Sequence, residues 1–249
     1  MSNSARPSRF WLITAATVAG MALTASLGVW QLARAAQKRA LQDGIATHES
    51  QPAWNERELA SSANPAAEVY RPVELRGHWL PGANLFLDNR PMNGRTGFVV
   101  LSPLRLSHSD RAVLVQRGWV PRDFQDRNKL PEVPTPAGEV RVAGRMAPPP
   151  SHLFEFGASP PGPIRQNVDL FSLSVEWRLP LIDGVSVLQT GGDDSGLQRD
   201  WPRFVGDEHK HLAYAAQWFA MCAGLAGLYL WFQIIQPRLK RRSHGQDFR

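Results

Sequence analysis

Residues 10–33 read FWLITAATVAGMALTASLGVWQLA, and residues 212–236 read LAYAAQWFAMCAGLAGLYLWFQIIQ; neither stretch holds a charged side chain. A helix needs about 20 apolar residues to cross a hydrocarbon core of about 30 Å, so both stretches suffice. Phe10, Trp11 and Trp30 mark the ends of the first, and Tyr214, Tyr229, Trp231 and Phe232 those of the second. Aromatic rings favour the membrane–water interfaces; Trp218 is placed either there or against a partner helix. The expected fold class is an α+β membrane protein, with two transmembrane helices flanking one domain. The expected segments are a tail over 1–9, a first span over 10–33, an extracytoplasmic domain over 34–211, a second span over 212–236 and a basic tail over 237–249.

Charge orients this arrangement. The chain has 28 Lys and Arg against 22 Asp and Glu. The excess lies entirely in the tails: Arg6 and Arg9 before the first span, and Arg238, Lys240, Arg241, Arg242 and Arg249 after the second, against Asp247 alone. Positive residues near span ends mark the cytoplasmic side, so both termini are expected in the cytoplasm and the middle domain in the periplasm. Arg34, Lys38 and Arg39 argue the other way, but long domains translocate largely regardless of charge. A cleaved signal peptide fits poorly, because the first stretch exceeds the 7–15 residues of a signal core and no clear Ala-x-Ala site follows it. The balanced middle also argues against a nucleic-acid surface. With one cysteine, Cys222, no intramolecular disulfide is possible.

Between the spans the texture changes. A helix is expected to run past Trp30 to about Gly44, and residues 51–67 read as linker or short helix. Residues 69–77 and 139–144 alternate apolar and polar; 84–88, 97–101, 112–116 and 185–189 are short apolar runs between turn signals. Several short strands at this spacing suggest an antiparallel barrel-like or sandwich domain. The prolines at 148–150 and 160–163 bracket a loop-rich excursion. Residues 167–177 suit a short helix with Asn167 as N-cap and Asp169 in its first turn. Residues 190–200, with Asp193 and Asp194, read as a flexible connection.

No standard catalytic signature appears: no Gly-x-Ser-x-Gly, phosphate loop, His-Glu-x-x-His or dinucleotide fingerprint. An enzymatic role is not expected, since no nucleophile–base pair or metal constellation can be named. Small residues recur at four-residue spacing on the second span (Ala216, Ala220 and Gly224, with Ala223 and Gly227 beside them) and on the first (Ala16, Gly20 and Thr24). Such faces let helices approach closely, and the two spans are expected to pair through them. Arg90 and Arg117 are expected to pair acids inside the domain or to face a partner. His211 opens the second span, with His209 two positions earlier. Two ligands on one helical face need i, i+3 or i, i+4 spacing, so these two point apart. The residues leave two roles open for His211: a polar end residue, or a ligand to a metal or haem iron.

Five stretches together resemble the Surfeit locus protein 1 family of oxidase assembly factors. They are residues 27–34 (LGVWQLAR) followed by Lys38; residues 70–73 (YRPV) followed by Gly77; residues 88–90 (DNR) with Gly97 and Ser102-Pro103-Leu104; residues 115–121 (VQRGWVP); and residues 211–219 (HLAYAAQWF). The matches run in family order through nearly the whole chain. The resemblance implies a non-enzymatic role in maturing the large subunit of cytochrome c oxidase, a haem-copper terminal oxidase, with haem A as a transient cofactor. It implies His211 as axial ligand to the haem iron, and haem A synthase as a further partner. On that reading Trp30, Tyr214 and Trp218 supply flat apolar walls, and Arg34 and Lys38 neutralise the propionates. Two departures from the family pattern, residues 207–210 (DEHK) and Gln116, remove no ligand. A scaffold that docks oxidase subunits without a cofactor is the alternative.

Overall fold

The structure is a computed structural model that describes residues 5–123, 125, 130–154, 162–191, 196–202 and 208–239. The basic C-terminal tail beyond 239, residues 155–161 of the proline-rich excursion, and Asp193 and Asp194 lie outside the described residues. The chain divides into two compact units: residues 1–43 with 204–249, and residues 44–203.

The first unit is a pair of helices. Helix α1 spans Ala5–Glu49, five residues beyond the expected end at Gly44. The second helix of the pair spans Glu208–Tyr229 and winds on through a π-helical stretch, Leu230–Ile235. Both are long and apolar enough to cross a membrane. Their contacts run antiparallel: Thr14 with Tyr229, Met21 with Cys222, Gln31 with His211 and Arg39 with Glu208.

The pairing face differs from the expected one. Ala216, Ala220, Ala223, Gly224 and Gly227 are all exposed, and a Cβ on Gly224 or Gly227 would meet nothing within 4 Å. The face turned to α1 instead carries buried Ala215 with Phe219, Cys222 and Leu225. On α1 the expectation holds for Gly20 and Thr24 and fails for exposed Ala16. Size complementarity is the reason. Gly28 is buried, and a Cβ there would lie 2.8 Å from the Phe219 ring. One large ring filling one glycine notch replaces close contact between two small faces.

The second unit is an eight-stranded sheet. Its strands are β1 (Trp54–Asn55), β2 (Pro72–Trp79), β3 (Leu85–Met92), β4 (Arg95–Leu106), β5 (Ala112–Pro121), β6 (Val140–Ala147), β7 (Ile164–Arg165) and β8 (Ser186–Gln189). Their order is β1-β2-β6-β8-β5-β4-β3-β7, and β2 also pairs with β4. The sheet is mixed and does not close into a barrel, where an antiparallel barrel-like or sandwich domain was expected. β1 with β2, β3 with β7, and β5 with β8 run parallel. Two of these pairings involve two-residue strands, too short to show any period. The third forms because β8, arriving after helix α3 (Leu170–Trp177), enters beside β5 in the same direction.

Alternation and burial agree strand by strand. In β2, Val73, Leu75 and Trp79 are buried while Glu74, Arg76 and His78 face out. β4 and β5 are buried on both faces, which is why their sequences are continuous apolar runs. One core cluster gathers Val73, Leu75, Leu104, Val115, Met146 and Val187. A second packs Leu101, Leu114 and Trp119 against Leu173 of α3, and a third joins Phe86, Phe98 and Val120.

Local signals explain the short helices. Residues 51–67 contain helix α2 (Glu56–Ser61), started by a capping box in which Asn55 Oδ1 accepts from Arg57 N and Glu58 N while Glu58 Oε2 accepts from Asn55 N. Helix α3 starts two residues late: its N-cap is Asp169, which accepts from Ser172 N at 2.8 Å. Asn167 is occupied elsewhere, exchanging two hydrogen bonds with the backbone of Leu153. The expected flexible connection is pinned at Gln198, which exchanges backbone hydrogen bonds with Trp119 of 2.7 and 2.9 Å.

Candidate functional site

The helix pair brings several of the sequence-predicted residues together around one hydrogen bond. His211 lies in the first turn of the second helix of the pair, now α4, and its Nδ1 lies 2.8 Å from Gln31 Oε1 of α1. A carboxamide oxygen only accepts. With that oxygen as the acceptor Nδ1 donates, and Nε2 has no hydrogen-bond partner among the described residues. A partner that orients one nitrogen and leaves the other basic is the arrangement found behind ligating histidines.

Helical spacing extends the site in two directions. Gln31, Arg34 and Lys38 stand at i, i+3 and i+7, one stripe of α1; His211, Tyr214 and Trp218 form the matching stripe of α4. Both stripes start at the Gln31–His211 bond and, the helices being antiparallel, run away from each other. Trp218 is half-buried and Tyr214 is 53% exposed. Arg34 is exposed and donates to Gln37 Oε1 at 3.2 Å; Lys38 is half-buried. Trp30 does not join. It lies two residues, some 200° of helical turn, from buried Gly28 and is 58% exposed. His209 points away as its spacing demands, with its side chain 88% exposed.

One contact was invisible in the sequence. Arg39 grips Glu208 with two hydrogen bonds, 3.0 Å from Nε and 3.4 Å from its terminal nitrogen, across 169 residues. Its hydrogen bonds hold the Glu208 carboxyl below its ordinary value. Glu208, which looked like a departure from the family pattern, thus clamps the two helices one turn from His211.

These residues fit a haem better than a bare ion. Among the described residues no group of three His, Cys, Asp or Glu side chains forms a metal cage. A single imidazole with an unpartnered Nε2, on helical stripes that carry aromatic rings and two cations, suits contact with a flat, acidic, apolar group.

The remaining motif residues have structural tasks in the sheet. The Trp119 indole N–H donates to Arg90 O at 2.7 Å. The Arg90 guanidinium donates to Ser151 O and Gln166 O, so it ties loops rather than pairing an acid, and its burial lowers its pKa. Arg117 is fully buried with its guanidinium carbon 4.5 Å above the Trp79 ring. At Gly97 an added Cβ would collide with Val120 O and the Trp119 ring. The stretches over 88–90 and 115–121 therefore read as one packing motif.

The sequence model of the SURF1 family matches residues 18–223, across both units and including Gln31 and His211. The chain belongs to the SURF1 family. A SURF1-like protein of Rickettsia felis is 28% identical over 218 residues, covering 82% of this chain and 89% of that one. Surfeit locus protein 1 of Xenopus tropicalis is 26% identical over 241 residues, 89% of this chain and 74% of its own. The cytochrome oxidase assembly protein SHY1 of Saccharomyces cerevisiae is 30% identical over 129 residues, which is 49% of this chain and 32% of that protein. As a SURF1 family member the chain carries its polar inter-helix contacts, at Gln31 and His211, well inside the matched region.

Proposed function

We propose that this chain is a non-enzymatic assembly factor for a haem-copper terminal oxidase, cytochrome c oxidase, and that it assists delivery or insertion of haem A into the large subunit. Family membership supports the assembly role, and a relative bears that role in its name. The observation that carries the haem reading is the Gln31–His211 bond, which leaves Nε2 of the imidazole without a partner among the described residues. Haem A, as cargo, supplies an iron with an open axial position and acidic propionates. His211 Nε2 would hold the iron, and Gln31 keeps Nδ1 protonated and the ring oriented. Arg34 and Lys38 answer the propionate charge, and Tyr214 and Trp218 line the apolar side.

The same reading places the protein in the cell inner membrane. α1 and α4 span the lipid, both termini lie in the cytoplasm and the domain over 34–211 lies in the periplasm. Haem A synthase is the partner that would supply the cargo. The outward face of Trp30 favours a second reading, a scaffold that docks oxidase subunits without cofactor.

The deciding test is a reduced-minus-oxidised spectrum of membranes from a strain lacking the gene, with oxidase activity on the same sample. The a-type band and the activity are expected to fall, and to return with the wild-type gene but not with His211→Ala. A normal band with normal activity overturns the assembly role. Unchanged haem affinity in His211→Ala overturns the ligand assignment, and protein that stays colourless in cells rich in haem A selects the scaffold.

A further inference from the structure

The sheet unit contains a polar cleft of about 570 Å³, lined among others by Arg57, Arg76, Arg141, Glu56, Glu74 and His108. Its floor breaks a local rule. In the antiparallel β2–β6 ladder Arg76 stands directly opposite Arg141, and both face outward. Like charges in that position are destabilising, since directly opposed Cβ atoms are about 5 Å apart. The next exposed pair along β2 sets His78 opposite Arg105 of β4.

The guanidinium groups here are unspent. Among the described residues neither Arg57, Arg76 nor Arg141 makes a side-chain hydrogen bond or an ion pair, whereas Arg39, Arg71, Arg122, Arg145 and Arg165 each hold an acid. The nearby acids are committed elsewhere or hold none of them. Glu56 is buried and takes the Arg76 backbone N–H at 3.3 Å. Glu139 accepts from the Ser107 hydroxyl and feels Arg76, His78 and His108 only through space. Glu74 lines the same cleft two residues before Arg76 on one face of β2, opposite Asn55 of β1 and Ala143 of β6, and among the described residues it holds none of the three guanidinium groups.

We propose that this cleft binds an oxyanion, a phosphate or carboxylate group bridging Arg76 and Arg141 with Arg57 closing from α2. Guanidinium forks match both groups in geometry and charge. Such a ligand turns the repulsive cross-strand pair into a bridged one. The site is separate from His211 and goes beyond the haem reading; it stands or falls independently of it. The anion arrives either free in solution or as the headgroup of an anionic lipid.

The test is thermal unfolding of the full chain in phosphatidylcholine nanodiscs, in low-salt buffer without phosphate. Inorganic phosphate in the millimolar range is expected to raise the wild-type Tm by several degrees, because a ligand of the folded state stabilises by mass action. The Arg76→Gln/Arg141→Gln double variant is expected not to respond, and to match or exceed the wild-type Tm before phosphate is added, since the repulsion is gone. Phosphatidylglycerol in the disc is the second arm. A rise with lipid and none with phosphate assigns the headgroup; a rise with phosphate alone assigns a free anion. No rise in either arm, or an equal rise in the double variant, overturns the proposal.

Discussion

The sheet unit and the helix pair are held together in opposite ways. The sheet unit buries its apolar side chains in three clusters whose members are nearly all fully enclosed, and its stability is spread over many of them. Within the helix pair the described core is thin, with Thr24, Gly28, Ala35 and Ala215 buried between helices whose outer surfaces carry exposed Trp11, Leu12, Leu23 and Leu228. There the specific contacts are few and mostly polar: Thr14 with Tyr229, Gln31 with His211, Arg39 with Glu208. A water-soluble fold drives its own assembly by hiding apolar surface. Helices that associate in lipid gain nothing that way and rely on shape and on a handful of hydrogen bonds.

The sharpest way to break the contrast is a cavity in the sheet. Leu75 is fully buried in the first cluster. Leu75→Ala is expected to cost about 2–5 kcal/mol. Hydrogen exchange should rise throughout residues 44–203 and remain unchanged in α4. A protection loss confined to β2 would show that the sheet unit does not unfold as one.

A smaller effect is expected on the other side. Gly28→Val pushes a branched side chain into the space of the Phe219 ring. Overpacking of this kind costs roughly 1–3 kcal/mol. Exchange should rise in α4 around Phe219 while the sheet unit keeps its protection. Unaltered exchange in α4 would mean that the ring has an alternative seat.

The smallest effect comes from acid. The hydrogen bonds of Arg39 lower the folded pKa of Glu208, so the pair's contribution is present above the unfolded carboxyl value and is lost as pH falls through the folded one. The clamp should weaken only on the acid side of the normal Glu range. Asp169, held low by the backbone N–H and then the hydroxyl of Ser172, titrates with the same sign in the sheet unit. With the intrinsic pH dependence of amide exchange divided out, protection at the start of α4 should therefore fall in acid, and should not change with pH in Glu208→Gln. A pH response that survives in Glu208→Gln would locate the titrating group elsewhere.

Much of this architecture was legible before any coordinates. The two apolar stretches, the alternation in β2 and β6, the buried runs in β4 and β5 and the short helix before Trp177 are all periodicities of neighbouring residues, and neighbouring residues set local backbone preference and one-sided burial. His211 was marked by its place at the head of α4 and by family likeness, while its contact with Gln31 was not legible. Three things came only with the tertiary structure. The strand directions depended on how α3 returns the chain to β5 and on two-residue strands that carry no pattern. The pairing face of α4 depended on a glycine notch in another helix. The Gln31–His211 and Arg39–Glu208 contacts join residues 180 and 169 positions apart. A hydrogen bond's partner is chosen by proximity in space, and no spacing along the chain encodes it.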